Sequence, residues 1–369
     1  MKNNKILFIV GASYVSGLEI ISLHLIRALK ENGYEVRVLV NGWNDGVFKE
    51  SLSKLNVPFY EVKLGWIYLT KPAWTLDTLL HWPSAFASFR KILRDFGPDI
   101  CHFSNYSAPI MLFPLLKKRK SLYSLHESHL PSRSHLIIYK LLNKRMQVFT
   151  AVSGHISKVL LRLGIPESKI RLIYNGLPAA AEGKREIRPT TFIGIIGQVA
   201  QWKGHDTLLE AVEKLAAAGR TNLKVYIYGN DTNEYAKNLK TRIRLKNLEE
   251  YFVWVGFVKD QDAIYEQLDI VVVPSLSEEP CSLTILEAMM RGKGVIASDR
   301  GGNIELVNDG VNGMIFRAGD ANDLADLMER LLKNNDLITE LGRKARERAL
   351  TEFTVRRMTN EFITVYEAI

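Results

Sequence analysis

The sequence predicts an α/β protein with two doubly wound parallel sheets, and two patterns support this prediction. Short apolar runs rich in Val, Ile and Leu recur along the 369 residues, as expected for strands that are buried on both faces of a parallel sheet. Stretches with apolar residues at helical spacing separate these runs, and this alternation is typical of βαβ units. A hydrophobic content of 47% with 24% charged residues argues for a folded globular protein and against disorder.

The first half begins with an apolar run at residues 5–11, which we expect to be the first strand of a parallel sheet. The charged start followed by an apolar run also resembles a signal peptide. This run, however, is short and leads into an amphipathic helix without a small-residue cleavage site. Further strands are predicted near residues 35–40, 99–102, 120–125, 148–152 and 170–173. We therefore expect residues 1–180 to form one domain.

The second half repeats the alternation, with strands predicted near residues 191–197, 224–229, 252–255, 270–273 and 294–297. Between the halves, residues 177–189 lack a periodic apolar pattern and contain prolines and a glycine, which favours a domain boundary. Residues 181–352 are therefore expected to form a second domain. Apolar residues at helical spacing over 353–369 predict a terminal helix.

The most informative segment of the chain contains two glutamates eight positions apart, Glu279 and Glu287. It follows the apolar run at 270–273, and Pro280 biases Glu279 toward an extended conformation. Glu279 is therefore expected on the loop at the carboxyl end of its strand, where open α/β sheets bind ligands.

A helix is predicted to begin directly after this loop. Ser282 is a suitable N-cap, which leaves the amides of Leu283 and Thr284 available to an anion. Glu287 lies about one turn further into the same helix. The segment thus offers a carboxylate on a loop, a helix N-terminus for a phosphate, and a second carboxylate placed for a diol such as a ribose.

This segment resembles the E-x7-E motif of the retaining GT-B-fold glycosyltransferases of family 4. The resemblance covers nearly the whole chain, because other pieces typical of the family occur in the expected order at residues 15–19, 33–40, 98–102, 125–127, 175–176, 197–204, 301–305 and 309–313. It implies two Rossmann-like domains that face each other across a crevice. Residues 1–180 would bind the acceptor and 181–352 the nucleotide sugar, with the helix 353–369 crossing back to pack on the N-terminal domain.

The resemblance also implies roles for individual residues. Lys203 would neutralise the donor diphosphate, Glu279 would contact the hydroxyls of the donor sugar, and Glu287 would bind the ribose. His126, after the strand at 120–125, would touch the sugar near the reacting carbon. The catalytic residues are thus predicted to be His126, Lys203 and Glu279. The donor-binding residues are predicted to be Gly17, Gln198, Lys203, Val258, Glu279, Ser282, Leu283 and Glu287.

Two positions depart from the family pattern. Gln198 stands where many members have an arginine, so stabilisation of the diphosphate is expected to depend more heavily on Lys203 and on the helix N-terminus at Leu283. The pair Cys281-Ser282 replaces a frequent phenylalanine-glycine, which is a milder change because a serine still exposes its backbone amide.

The implied reaction moves a sugar from a nucleoside diphosphate, with UDP- or GDP-sugars favoured, to a saccharide or a lipid-linked hydroxyl acceptor. The resemblance implies retention at the anomeric carbon, no metal, no cofactor, and a place in the synthesis of cell-surface polysaccharide, lipopolysaccharide or glycolipid. Two alternatives remain open. One is a nucleotide-sugar epimerase or a sucrose-type synthase of the same fold. The other is a catalytically weak nucleotide-sugar-binding protein, which Gln198 slightly favours.

Other chemistries have little support in the sequence. His126 and His129 do not have the spacing of a His-Glu-x-x-His zinc motif. The glycines near the start fail the G-x-G-x-x-G spacing of a dinucleotide loop, and no P-loop motif occurs. A basic nucleic-acid-binding protein would explain the net charge of +9 but not the glutamate motif.

The positive charge is concentrated in the N-terminal half. Residues 1–180 carry 24 Lys+Arg and 11 Asp+Glu, or +13, and the remaining residues carry 25 and 29, or −4. This asymmetry predicts peripheral association of the N-terminal domain with an anionic membrane surface. Four tryptophans and several apolar and basic positions in this half favour the same prediction: Trp43, Trp66, Trp74, Trp82, Ala85, Phe86, Phe89, Ile92, Leu93 and Phe96, with the basic run at 117–120 and a mixed stretch at 136–146. The alternative for each helix is a core-packed element whose outer face is basic.

The expected location is the cytoplasm, at the inner face of the membrane. Only two cysteines occur, Cys101 and Cys281. They are assigned to different domains, and the absence of a disulfide between them would fit a reducing compartment.

Overall fold

The computed structural model describes residues 4–11, 15–65, 71–128, 132–182 and 188–369. The chain divides into two compact units, the first formed by Met1–Gly176 with Val355–Ile369 and the second by Leu177–Thr354. Each unit is built around one parallel sheet with helical crossovers, so the prediction of an α/β protein with two doubly wound sheets is confirmed.

The sheet of the first unit has seven parallel strands in the order β3-β2-β1-β4-β5-β6-β7. The strands are β1 (Lys5–Val10), β2 (Glu35–Asn41), β3 (Phe59–Val62), β4 (Ile100–Phe103), β5 (Lys120–Leu125), β6 (Val148–Ala151) and β7 (Ile170–Leu172). The helices are α1 (Gly17–Glu31), α2 (Val47–Lys54), α3 (Pro72–Asp95), α4 (Ser107–Met111), α5 (Arg133–Leu142), α6 (Gly154–Arg162) and the last helix of the chain, α14 (Val355–Ala368).

The terminal helix α14 packs in the first unit against α1 and is joined to the sheet by a buried polar chain. Tyr366 Oη lies 2.7 Å from Nδ1 of His102 on β4, and His102 Nε2 lies 2.7 Å from Oγ of Ser124 on β5. Burial lowers the pKa of His102 to about 3, so these bonds are made by a neutral ring. The chain of bonds fixes the position of α14 over the sheet.

The sheet of the second unit has six parallel strands in the order β10-β9-β8-β11-β12-β13. The strands are β8 (Thr191–Ile196), β9 (Leu223–Tyr228), β10 (Phe252–Gly256), β11 (Ile270–Val273), β12 (Gly294–Ser298) and β13 (Met314–Phe316). The helices are α7 (His205–Ala217), α8 (Glu234–Leu245), α9 (Gln261–Glu266), α10 (Leu283–Met290), α11 (Asn303–Leu306), α12 (Ala321–Leu332) and α13 (Asn335–Glu352).

Each sheet has one point where the chain changes the direction in which it adds strands. This point lies between β1 and β4 in the first unit and between β8 and β11 in the second. In open α/β sheets the crevice beyond the carboxyl ends of the strands at this point is the usual ligand site. The loops after β8 and β11 are therefore the first places to look for function in the second unit.

The sequence-based description missed two strands, both at edges of the sheets. β3 is half-exposed and lacks a continuous apolar run, and β13 has only three residues. Both strands form because a neighbouring strand supplies backbone hydrogen-bond partners. The local sequence pattern does not reveal such a neighbour.

The membrane-facing assignment of the carboxy-terminal half of α3 was wrong. Ala85, Phe89, Ile92, Leu93 and Phe96 are all buried in the first unit. The alternative of a core-packed helix holds there, with Arg90, Lys91 and Arg94 exposed on the opposite side. Trp66 lies outside the described residues.

The two cysteines lie in different units, and both are buried free thiols. Cys101 is on β4, and Cys281 is in the loop before α10. Among the helices described, none has both the length and the apolar character needed to cross a membrane.

Candidate functional site

The loop after β8 places Lys203 beside the exit of β11. Residues Gln201–Lys203 form a single 3₁₀ turn, and Gly204 follows with a φ of 76°. A Cβ at Gly204 would approach the carbonyl oxygen of Pro274 to 1.8 Å, so only glycine allows this contact. The amide of Leu276 also donates to the carbonyl of Trp202 at 2.8 Å. The two loops at the strand-order change are thus fastened together by backbone contacts.

Glu279 lies in the loop after β11, as predicted, and its side chain is almost fully buried. A pair of glycines fixes its backbone: the amide of Gly302 donates to the Glu279 carbonyl at 2.6 Å, and a Cβ at Gly301 would approach that oxygen to 2.2 Å. The loop is therefore held on both sides by segments that only glycine allows to come so close.

Lys203 and Glu279 form an ion pair at the centre of this arrangement. Lys203 Nζ lies 2.6 Å from Glu279 Oε1, and the two side chains are 22% and 9% exposed. Ser275 Oγ donates to the same carboxylate oxygen at 2.6 Å. Ser275 is itself held by Ser298, whose hydroxyl donates to the Ser275 carbonyl at 2.7 Å. A charge-assisted contact this short and this buried strongly restricts both side chains.

Helix α10 begins where the sequence predicted. Ser282 is its N-cap and accepts a hydrogen bond from the amide of Ile285 at 3.4 Å. Leu283 is the first helical residue, and the hydroxyl of Thr284 donates to the carbonyl of Ile196 at the end of β8 at 3.4 Å. This bond brings the helix N-terminus, with its partial positive charge, to the same strand ends as Lys203.

Glu287 lies one turn into α10 and keeps part of its surface exposed. Its carboxylate accepts a hydrogen bond from the hydroxyl of Tyr265 at 2.8 Å. Burial raises the pKa of Glu287, while the hydroxyl of Tyr265 and the charge of Arg291 act in the opposite direction. The Arg291 guanidinium lies 4.8 Å from the centre of the Tyr265 ring, which positions the tyrosine under it.

The polar side chains meet in a narrow cleft of the second unit. Its polar lining consists of Gln198, Lys203, His205, Ser275 and Thr284. His205 is buried at the start of α7, and burial lowers its pKa to about 4, so the ring is neutral at pH 7. Its Nδ1 has no hydrogen-bond partner among the described residues. The cleft therefore combines one ammonium group with several neutral groups that can form hydrogen bonds.

The remaining predicted site residues are spread over three loops. Gln198 follows Gly197, which has a φ of 138° directly after β8, and its side chain is exposed. Val258 lies in the loop after β10 and is half-buried. In the first unit, Gly17 is the first residue of α1, where Ser16 and Glu19 form a capping box. The preceding residues 12–14 lie outside the description.

His126 follows β5 in the first unit. It lines a small cavity with His102, Ser104 and Asn175, and burial lowers its pKa to about 4. It is therefore a neutral ring at pH 7, which donates a hydrogen bond from one nitrogen and accepts one at the other. His129 lies outside the described residues.

The structure thus brings together Lys203, Glu279, Ser282 and Leu283, with Glu287 one turn further along the same helix. The roles predicted for these residues, and for Gly17, His126, Gln198 and Val258, stay predictions. Sequence reasoning missed Ser275, Tyr265 and His205. Ser275 could have been found as the polar residue that directly follows the strand 270–273 and Pro274, at a carboxyl end. Tyr265 has no local signal, because it reaches Glu287 only through the fold.

No group of three His, Cys, Asp or Glu residues able to hold a metal ion occurs in the described parts of the chain.

Two family models match the chain. The model described as Glycosyl transferases group 1 matches residues 181–348. The model described as Glycosyltransferase Family 4 matches residues 15–180. The two matches adjoin and together span both structural units.

Among curated relatives, Spore coat protein SA of Bacillus subtilis is 27% identical over 241 residues, which cover 58% of this chain and 63% of that protein. N-acetyl-alpha-D-glucosaminyl L-malate synthase of Bacillus anthracis is 24% identical over 378 residues, which cover 95% of this chain and 94% of that protein. The chain therefore spans less than two thirds of the length of the first relative and nearly all of the second.

Among solved structures, HepE of Anabaena in complex with UDP and glucose superposes with a TM-score of 0.84 at 20% identity. The match covers 99% of this chain and 100% of the HepE chain. At this level of identity the likeness concerns the fold.

Proposed function

Because this chain belongs to the group 1 glycosyltransferases of family 4, we propose that it transfers a sugar from a nucleoside diphosphate to a hydroxyl acceptor. Configuration at the anomeric carbon is retained in this proposal, and no metal takes part. The ion pair of Lys203 and Glu279 at the strand-order change of the second unit is the observation that carries it.

The arrangement suits a donor whose leaving group is a diphosphate. Negative charge grows on the diphosphate as the glycosidic bond breaks, so a fixed cation and a helix N-terminus at that place lower the barrier. Lys203 supplies the cation, and the free amides at Leu283 and Thr284 belong to the N-terminus of helix α10. These groups are what would take the place of a metal ion, with the uncharged Gln198 contributing hydrogen bonds only.

The two glutamates suit the two diols of such a donor. Glu279, once its ion pair with Lys203 is broken, would accept hydrogen bonds from sugar hydroxyls. Glu287 would accept them from the ribose, since its carboxylate is partly exposed one turn into α10. Donor-binding roles for His126, Gly17 and Val258 are proposed on the strength of the family resemblance alone.

UDP-sugars are the first donors to test. HepE was solved with UDP and glucose, and its chain superposes on nearly all of this one. A GDP-sugar is the second choice. The acceptor is proposed to be a saccharide or a lipid-linked hydroxyl, handled by a cytoplasmic protein that reaches the membrane surface.

The test begins with thermal shift measurements on UDP, GDP, ADP and CDP and their sugars, because a ligand that binds only the folded state raises its apparent stability. We expect one nucleotide to stabilise the protein, and Lys203→Ala to reduce that shift only in part. Transfer is then followed with the matching radiolabelled sugar, and the anomeric configuration of the product is assigned by NMR.

Each outcome bears on a separate part of the proposal. Binding of a nucleotide sugar without transfer to any saccharide or lipid-linked acceptor would favour a binding protein over an enzyme. An inverted product would overturn retention, and a loss of transfer after dialysis against a chelator would overturn metal independence. No binding of any nucleotide would overturn the proposal as a whole.

A further inference from the structure

The amino-terminal half of α3 exposes a concentration of large apolar side chains. Five of them lie within nine consecutive positions of the first unit: Trp74 (57% exposed), Leu76 (59%), Leu79 (46%), Leu80 (69%) and Trp82 (41%). Single exposed apolar residues are ordinary on protein surfaces, but a contiguous group marks an interaction surface. We call these five residues the α3 patch.

Of the patch residues, Leu76 and Leu80 lie on the side of α3 that faces away from the core, and Leu79 lies at the flank of that side. Trp74 and Trp82 lie at the azimuth of the buried side, and the Trp82 indole donates a hydrogen bond to the Met111 carbonyl at 3.0 Å. Thr78, Ala85, Phe89, Ile92 and Leu93 form the buried side of the helix. At 100° per residue, Leu76 and Leu80 project about opposite to that side, so folding of this unit leaves them without a core to enter.

The outward side changes character along the helix. After Leu80 it continues through Pro83 and Ala87, which are exposed, and then becomes basic at Arg90, Lys91 and Arg94, which are exposed as well. This one side therefore combines the two contributions to binding at an anionic bilayer, burial of apolar side chains and attraction of basic side chains to the headgroups.

The surroundings of the patch are cationic too. Lys71 Nζ lies 3.9 Å from the centre of the Trp74 ring, so a cation is held directly at the patch. Lys+Arg exceed Asp+Glu by 13 over residues 1–180. Two such surfaces would repel each other, which disfavours a second copy of this chain as the occupant and favours an anionic one.

We propose that the leucines of the α3 patch, Leu76, Leu79 and Leu80, insert into an anionic lipid bilayer, with Arg90, Lys91 and Arg94 at the lipid headgroups. This inference extends the proposed function, since it places the first unit where a lipid-linked acceptor would be found. It differs from the sequence-based prediction in the residues that enter the bilayer, because Phe89, Ile92 and Leu93 belong to the core.

The test is sedimentation of the full-length protein with vesicles. One set consists of phosphatidylcholine alone and the other of phosphatidylcholine and phosphatidylglycerol in equal amounts. We expect binding to the second set only, weakened by salt. The double variant Leu76→Ser/Leu80→Ser should reduce the partition coefficient about tenfold, because both side chains supply apolar anchoring. The matched control is Leu245→Ser, which changes a leucine that is 77% exposed in the second unit and should leave binding unchanged.

A second set of variants tests the charge. Arg90→Glu/Lys91→Glu/Arg94→Glu should abolish binding, since each basic residue near an anionic surface contributes about fivefold. The control carries the same change of net charge in the second unit, Lys237→Glu/Arg244→Glu/Lys259→Glu, where all three side chains are exposed. Equal loss in both triple variants would show that only net charge matters and would overturn the assigned surface.

Three further outcomes would overturn the inference: no binding of the wild-type protein to either vesicle, unchanged binding of Leu76→Ser/Leu80→Ser, or a wild-type dimer in lipid-free solution that this double variant dissociates. The last would make the patch a contact between copies. UDP binding is measured on every variant in parallel. Retained UDP binding without vesicle binding would reject the membrane inference alone, whereas vesicle binding without nucleotide binding would reject the proposed enzyme alone.

Discussion

Glu279 and Glu287 lie eight residues apart on one loop-helix segment, yet the fold treats their carboxylates differently. Glu279 is 9% exposed in its side chain and is compensated by a full positive charge, the ammonium group of Lys203 at 2.6 Å. Glu287 is partly exposed, and its carboxylate accepts a hydrogen bond from a neutral group, the hydroxyl of Tyr265 at 2.8 Å, with the charge of Arg291 as a further contribution. The buried part of the Glu287 side chain raises the pKa of this carboxyl, because burial disfavours its charged form.

Glu279 must therefore lose its ion pair with Lys203 before it can bind a sugar, whereas Glu287 can bind a ribose without losing a charged partner. A diphosphate that approaches Lys203 competes with Glu279 for the same ammonium group. A ribose that approaches Glu287 needs no ion pair to break, because the Tyr265 hydroxyl leaves the other carboxylate oxygen and further lone pairs available. Changes at the first glutamate should therefore alter the balance between binding and turnover, and changes at the second should mainly alter binding.

The largest effect is expected for the lysine of the pair. Lys203→Ala should lower kcat by roughly 10²- to 10³-fold, the effect typical of removing one hydrogen-bond donor that stabilises the transition state of an enzyme. Donor affinity should fall by a smaller factor, because the charge on the diphosphate grows only as the bond breaks. Steady-state kinetics at saturating donor provide the measurement. Lys237→Ala, an exposed lysine of the same unit, is the control. A variant with near-native kcat would mean that other groups hold the diphosphate.

Glu287→Ala should weaken donor binding by about 1.5–3 kcal/mol, because charge-assisted hydrogen bonds to the ribose are lost. Calorimetric titration with the donor measures this, with circular dichroism to verify folding. Glu266→Ala, an exposed glutamate at the end of α9, should leave the dissociation constant unchanged. The same constant in folded Glu287→Ala would contradict the ribose assignment.

Glu279→Gln should have two opposite effects. UDP should bind roughly five- to thirtyfold more tightly, because Lys203 no longer has to break its ion pair with Glu279 before it contacts the diphosphate. Transfer should slow, because a neutral amide is a weaker acceptor for the sugar hydroxyls. Calorimetry and initial rates measure the two effects on one preparation. Weaker UDP binding would show that Glu279 positions Lys203 for the phosphate rather than competing with it.

The smallest effect concerns stability and pH. A folded-state pKa raised above the ordinary 4.5 means that Glu287 stabilises the fold at low pH and that this contribution is lost as the pH rises through the folded pKa. Glu287→Gln imitates the protonated carboxyl. Its free energy of unfolding relative to wild type should therefore increase between pH 4 and pH 7, as measured by urea denaturation. A difference that is independent of pH would contradict the raised pKa.

Much of the fold and part of this site could be predicted from the sequence, for physical reasons. Strands buried on both faces have a continuous apolar pattern, and Pro280 and Ser282 impose local conformations, so the loop of Glu279 and the start of α10 were predictable. The partners of the glutamates were not. Lys203 and Glu279 are 76 positions apart, and Tyr265 precedes Glu287 by 22, so only the order of strands in the sheet brings them together.

Helix α3 shows a related limit of sequence-based prediction. Its composition predicted an interfacial helix, but helical spacing alone does not tell which side enters the core. Phe89 and Ile92 are buried, while Leu76 and Leu80, two to four turns earlier, remain on the surface.

The exchange of partners at Lys203 is tested most directly by the distance from its Nζ to Glu279 Oε1 in a crystal structure with UDP bound. Without ligand the two atoms are 2.6 Å apart. We predict that with UDP the distance exceeds hydrogen-bonding reach, about 3.5 Å, and that Nζ instead contacts a diphosphate oxygen. An ion pair that remains intact while UDP occupies the second unit would contradict this account.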